Sequence, residues 1–362
     1  MKSFILAMSL LVLVLGTAGP TLGETPSART GHAMAALPDG SVLLFGGKDG
    51  DGNVLGDTWI FSGAKDGGWD NAAPPNAPEA RHGHKMVTLP DGKVMLFGGE
   101  NINAELQNDL HKFENNGWHP TAPSTASPPG RRDHLAWTDG QKLYVSGGRT
   151  ASETLSDLWE YDFASNAWTQ RADAPHPIAG AAVGSTEYTA YVTGYADDTP
   201  IYSYASDAWY DMPYDPNGMA LRTMAANTQS NYFAFIFGGF SIVKDGDVLG
   251  DAWTFDFTTK EYVQRADLPF PVAGAAAALI GSKAGETMLI FGGELGDGNL
   301  SDATLYYDSS ADTWEDAGAD DDDDDDDGDD DTESPADDDT EADNDNDGGG
   351  AGDDDDDGGC GC

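Results

Sequence analysis

Val42-Leu-Leu-Phe-Gly46-Gly47 is the stretch on which the fold is read: an apolar run closed by two glycines. It returns as Val94-Met-Leu-Phe-Gly98-Gly99, Leu143-Tyr-Val-Ser-Gly147-Gly148, Phe235-Ile-Phe-Gly238-Gly239 and Met288-Leu-Ile-Phe-Gly292-Gly293. A degenerate copy, Ala190-Tyr-Val-Thr-Gly194-Tyr195, fills the gap before the fourth intact pair. Successive first glycines lie 52, 49, 47, 44 and 54 residues apart. Self-similarity at a period of about 50 residues marks a repeat array in which each unit is one supersecondary module.

The flanks of each run repeat as well. Upstream, the first three copies open with Arg-x-x-His: Arg29 and His32, Arg81 and His84, Arg131 and His134. Tight turns follow at Leu37-Pro-Asp-Gly40 and Leu89-Pro-Asp-Gly92. Downstream, Asp57, Asp157 and Asp251 each stand two residues before a tryptophan. An aromatic closes every unit: Trp69, Trp118, Trp168, Trp209, Tyr262 and Trp314. β-Branched and aromatic residues in short runs, separated by Gly, Pro, Asp and Asn, read as four strands per unit. One small sheet cannot cover both of its faces. Six of them around an axis cover one another, and only short edges are left. The expected fold is therefore all-β, a six-bladed β-propeller, with the closing aromatics packed between blades and the ring closing between whole blades.

This constellation resembles the kelch repeat family over residues 25–316. The resemblance implies that Arg29, His32, Gly46, Gly47, Arg81, His84, Gly98, Gly99, Arg131, His134, Gly147, Gly148, Gly238, Gly239, Gly292 and Gly293 serve blade structure. The fourth copy departs most, with Tyr195 in place of the second glycine and Pro200 where the others carry Asp. The expected domains are a signal peptide over 1–23, the propeller over 24–316 and a disordered Asp/Gly-rich tail over 317–362.

In an up-and-down blade the 2–3 loops and the connections between blades share one face of the ring, and here they are the longer set. Loops on a rigid scaffold carry function. The expected ligand-binding face is lined by Lys48, Asp49, Asp51, Asn53, Glu100, Asn101, Asn103, Arg149, Phe240, Lys244, Asp245, Glu294 and Asp297. No metal centre is expected. His32, His84 and His134 sit at equivalent places in different blades, and metal ligands must converge within about 2 Å of the ion. Copies four to six carry Ala181, Ala225 and Ala275 there. Asp49-Gly-Asp51-Gly-Asn53 has oxygen donors at alternate positions but lacks the bidentate Glu of a calcium loop, so it reads as turn chemistry.

Enzymatic readings are weighed on the same residues. The kelch-type copper radical oxidase needs a cysteine in the propeller, and the chain has only Cys360 and Cys362. The iron motif of the plant specifier proteins begins at Glu105 and Asp109 but meets Phe113 where His is required. The exported sialic acid epimerase, also a kelch propeller, is the enzymatic alternative. No catalytic residue is assigned, no cofactor is expected, and the favoured reading is a non-catalytic protein that presents its loop face to a protein or glycan ligand.

The termini place the molecule. Lys2 precedes the apolar run Phe4–Leu15 and the small residues Gly16–Gly19, the pattern of a secretory signal and too short to span a bilayer. The expected location is therefore extracellular or at the cell surface. The net charge is −46, and 24 of the 64 acidic residues lie from Asp320 onward. Such a chain repels nucleic acid and anionic membranes and attracts cations. The tail has no aromatic residue and cannot bury enough surface to offset ordering entropy. Asp343-Asn-Asp-Asn-Asp347-Gly348 within it matches the opening of a calcium loop, and weak Ca²⁺ binding by the tail is expected. The chain ends Cys360-Gly-Cys362. An acidic linker leading to Gly-Cys is similar to the myxobacterial surface-sorting tail, though the apolar helix and arginine cluster of that signal are missing. The resemblance makes these cysteines candidate membrane anchors.

Overall fold

The computed structural model describes residues 24–63, 67–194, 198–213, 219–244, 246–280 and 286–317. The chain divides into two units, Met1–Ala319 and Asp320–Cys362. The expected signal segment, the acidic tail and Cys360 and Cys362 lie outside the described residues.

Every regular element among the described residues is a strand. They form six antiparallel four-stranded blades, each laid down in chain order. Blade 1 runs Ala33–Ala36, Val42–Asp49, Val54–Phe61 and Trp69–Asn71. Blade 4, the degenerate copy, keeps all four strands: Ala182–Ser185, Thr189–Thr193, Asp198–Ser203 and Ala208–Pro213. The first strands of the six blades touch their neighbours in turn, and those of blades 6 and 1, Ala276–Ile280 and Ala33–Ala36, touch to close the circle. The ring closes between whole blades, as the repeat boundaries predict.

Why the second strands are apolar throughout follows from this packing. Each lies between two other blades, so neither of its faces meets water. Val42 and Leu44 pack with Leu289, Phe291 and Tyr306 of blade 6. Leu43 and Phe45, on the other face, pack with Val94, Leu96 and Trp118 of blade 2. Complete burial of such side chains contributes roughly 1.5–3 kcal/mol each. The closing aromatics reach back across the seams. Trp118 packs on Phe45 at 5.3 Å and donates its indole N–H to Thr58 Oγ1 at 3.2 Å. Trp69 makes the same contacts across the closure, with Phe291 at 5.2 Å and Thr304 Oγ1 at 3.0 Å.

The paired glycines end these strands for a steric reason. Gly46 has φ of +66°, and a Cβ there would stand 2.5 Å from the carbonyl oxygen of Arg81 in the next blade. The ladder with the third strand breaks register between Phe45 and Gly47. The chain thus turns outward as the next blade's entry segment presses against it.

Four of these entry segments carry a buried arginine. Arg29, Arg81, Arg131 and Arg222 pair with Asp57, Asp109, Asp157 and Asp251 at 2.7, 2.5, 2.6 and 2.7 Å. Each also donates to the carbonyl of the first glycine of its own blade, at 2.8–3.1 Å. Burial opposes the charge of Asp57, Asp109 and Asp251, yet the hydrogen bonds and positive charge offered by their arginines hold all three below the usual carboxylate range; at Asp109 the first hydrogen bond comes from His111. Blade 6 has Val272 and Ala303 at the two positions instead. His32, two residues on from the entry pairing, reaches across the closure to the carbonyl of Phe291 at 3.1 Å. Burial, with Arg29 nearby, pushes its pKa down to about 3, and burial drives His84 and His134 well below 6.5. All three histidines are therefore neutral parts of blade seams.

One residue of each entry segment builds a second ring. The amides of Gly31, Gly83, Asp133, Gly180, Met224 and Gly274 each donate to the carbonyl of the preceding member, at 3.0, 2.8, 2.8, 2.7, 2.7 and 2.7 Å. Gly31 donates to Gly274, so the six hydrogen bonds form a closed circle about the axis. All six residues have positive φ, between 55° and 70°.

Candidate functional site

The hydrogen-bonded ring marks the face on which the 2–3 loops and blade connections meet. Around it lies a network of charged side chains from blades 2 and 3. Arg132 donates its Nε to Glu100 at 3.0 Å and lies 2.5 Å from Asp133. Arg149 approaches the same Asp133 carboxylate at 3.8 Å, and His82 stands 3.7 Å from Glu100. Short strand pairings fix these residues: His82 faces Glu100 in the ladder, and Arg132 bridges Arg149. The Arg149 side chain remains 45% exposed and Arg132 35%, so both guanidinium groups are open to a ligand.

Several of the expected face residues serve the loops themselves. Asp49 accepts the amides of Asp51 and Asn53 at 3.0 and 2.8 Å and the Asn53 side chain at 2.9 Å. Those bonds hold its carboxyl below the ordinary range and make the segment a hairpin turn. Asp297 repeats the arrangement with Asn299 in blade 6, at 3.0 and 2.8 Å. Asn101 requires a correction: it is 3% exposed rather than on the surface. Its Oδ1 caps the amides of Asn103 and Glu105 at 3.0 Å each, and its Nδ2 reaches Glu105 and Glu79. Asp51, Asn53, Asn103 and Lys244 are exposed at loop positions and Lys48 is exposed at the end of a strand, whereas Phe240 and Glu294 are half-buried in strands. Asp245 lies outside the described residues. No group of three or more His, Cys, Asp or Glu side chains among the described residues converges as a metal site would require.

Three apolar side chains stand on this face that the sequence reading passed over. Ile102 is 66% exposed at the tip of the blade 2 loop, and Ile242 and Val243 are 44% and 73% exposed at the tip of the blade 5 loop. The available signal was an apolar residue inside an Asn-rich or Lys/Asp-rich turn, where the chain gains nothing from hydrophobicity. Arg222 was also missed, because Ala225 stands where its repeat partner would be His.

The cavity between the first strands is lined by Met34, Met86, Thr88, Trp137, Asn227 and Gln229 among others, and no carboxylate among the described residues lines it.

Comparison with known proteins bears on the repeat itself. Residues 65–239 match a family model described as the KLHDC2/KLHL20/DRC7 Kelch-repeats domain. Human multiple epidermal growth factor-like domains protein 8 is 39% identical over 138 residues, 36% of this chain and 5% of that protein. Tip elongation aberrant protein 3 of Schizosaccharomyces pombe is 27% identical over 40% of this chain and 16% of its own length. The Drosophila melanogaster leucine-zipper-like transcriptional regulator 1 homolog is 24% identical over 73% of this chain and 29% of that protein. The chain thus spans well under two thirds of the length of these relatives. The chain is a six-bladed β-propeller whose residues 65–239 match a kelch-repeat family model, with five glycine pairs, four Arg–Asp pairs and seam aromatics recurring through its blades.

Proposed function

We propose that this propeller is a non-catalytic binding protein that presents its loop face to a protein partner. The observation that carries the reading is the composition of that face. Exposed Ile102, Ile242 and Val243 stand on the same face as the open guanidinium groups of Arg132 and Arg149. Arginine is enriched among the residues that dominate binding energy in protein interfaces, and exposed apolar side chains among polar ones mark interaction sites. A glycan ligand is the second ligand class, and a carbohydrate-active enzyme is disfavoured by the carboxylate-free cavity.

In this reading the chain is exported through residues 1–23 and acts outside the cell or at its surface. The acidic tail spaces the propeller from the envelope and binds Ca²⁺ weakly, and Cys360 or Cys362 anchors it. Acidity of the whole chain, at net −46, supports a cationic environment and argues against nucleic-acid partners.

The test compares capture of secreted proteins, and binding to a glycan array, by the native chain and by an Ile102→Asp/Arg149→Glu variant. A protein bound by the native chain and lost at least tenfold by the variant, with thermal stability unchanged, is the expected result. Equal capture by both proteins would move the binding surface elsewhere. Glycan binding alone would select the second ligand class.

A further inference from the structure

The six first strands open their axial ends differently, and one residue stands apart. At the position aligned by sheet register, five blades carry Ala33, Leu135, Ala182, Ala226 and Ala276, while blade 2 carries Lys85. A lysine among four alanines and a leucine on the inner wall of a ring brings a charge that packing there does not call for.

The cavity explains what surrounds it. A space of about 320 Å³ is lined by the later residues of the first strands, including Ala36, Thr88, Thr138, Ser185 and Gln229, so it lies toward the 1–2 turn face. It continues into a narrower space of about 90 Å³ lined by the starts of the same strands, where Lys85 lies beside Ala33, Ala225 and Asn227. Met34, Met86, Ala136, Val183, Asn227 and Ala277 line both spaces, so the two are one funnel. The hydrogen-bonded ring of Gly31, Gly83, Asp133, Gly180, Met224 and Gly274 stands at its narrow end.

Lys85 makes no hydrogen bond and no ion pair within 4 Å to any described residue. Asp133 is the carboxylate that faces it, and that group is already committed to Arg132 and Arg149. The three histidines on which its charge acts, His32, His84 and His134, are neutral in the seams. Burial lowers the lysine pKa and Asp133 works against that shift. The Lys85 side chain is half-buried, so its ammonium loses part of its hydration without gaining a partner, and an anion that enters the funnel supplies one.

We propose that the funnel is a binding site for a small organic carboxylate, entered from the 1–2 turn face, with the carboxylate on Lys85 and Asn227 and the body between Met34, Met86 and Trp137. The wide part has room for a ring-sized body, and its thioethers and indole offer apolar contact. The funnel opens on the 1–2 turn face, away from the loop face, and Lys85 lies at its narrow end beside the hydrogen-bonded ring, so this ligand would enter from a different face than the proposed protein partner.

The probe is benzoate, with benzamide as its uncharged counterpart, added to the full chain and followed by ligand-observed NMR and by Trp137 perturbation in two-dimensional spectra. Benzoate is expected to bind the native chain at least tenfold more tightly than benzamide. Lys85→Met is expected to abolish that preference while leaving the thermal midpoint at neutral pH within a few degrees, and the Ile102→Asp/Arg149→Glu variant is expected to retain it. Lys85→Arg, which keeps the charge, serves as a second variant should Lys85→Met fail to fold, and is expected to keep preference for the anion. Equal binding of benzoate and benzamide, a preference that survives Lys85→Met, or no binding of benzoate, acetate or citrate at millimolar concentration would each overturn the proposal.

Discussion

The histidines show how one residue type can be read two ways until burial is known. Three histidines at repeated positions suit a metal centre in a list of residues. In the ring they are separated by whole blades, each edge-on to an aromatic of the previous blade: His32 to Phe291, His84 to Phe45, His134 to Phe97, all at 5.5 Å. Their burial has a pH consequence. In the unfolded chain each titrates near 6.5, whereas in the folded chain His32 titrates near 3 and the other two well below 6.5. The unfolded state therefore binds more protons between those values, and stability falls as pH drops through that window. The slope is about 1.4 kcal/mol per pH unit for each histidine. Denaturant titrations at pH 7 and pH 5 are expected to show a marked loss of stability at the lower pH. The depressed aspartates act in a lower window: their contribution is present above 3.8 and is lost as pH falls below it. A flat profile from pH 7 to pH 5 would contradict neutral burial of the histidines.

At the level of the blade, the repeat was legible because the elements that define it have side-chain signatures. Glycine pairs mark where a Cβ has no room, and apolar runs mark strands buried on both faces. The Arg-x-x-His signature was legible only as a unit, and the structure separates it. The arginine ties its entry segment to the second and third strands of its own blade, while the histidine packs against the blade before. Blade 5 keeps the first role with Arg222 and drops the second at Ala225, which is why the sequence reading did not see it. Blade 6 replaces both partners of the ion pair, with Val272 and Ala303, and still folds. That joint replacement makes a prediction. Arg131→Val alone leaves the half-buried Asp157 without its cation and is expected to cost about 3 kcal/mol, the lower end for removal of one member of a buried pair. Arg131→Val with Asp157→Ala is expected to cost substantially less than the single change. Denaturant midpoints of the two single variants and the double variant measure this, and simple additivity would show that the pair has no energetic coupling.

The whole molecule depends on features with no side-chain signature at all. Of the six residues whose amides circle the axis, Gly31, Gly83, Gly180 and Gly274 carry no side chain, and Asp133 and Met224 share no chemistry. Only the backbone connects them, so the sequence predicted the number of blades without showing how they are locked. The loop face was located from connectivity, but its charged network was not, because Glu100, Arg132, Asp133 and Arg149 come together only when blades 2 and 3 are set side by side. The apolar tips at Ile102, Ile242 and Val243 stand outside the repeat altogether.

Closure of the ring is the claim on which the loop face and the funnel both rest, and the Gly31 amide reports it directly. Its acceptor is the carbonyl of Gly274, at the other end of the propeller sequence and 3.0 Å away only if blade 6 meets blade 1. Hydrogen exchange at single-residue resolution in the full chain is the measurement. The account predicts that the Gly31 amide exchanges as slowly as those of Gly180 and Met224, which lie inside the array. Exchange of Gly31 near the unprotected rate, with Gly180 and Met224 still slow, would mean an open stack of blades and would contradict it.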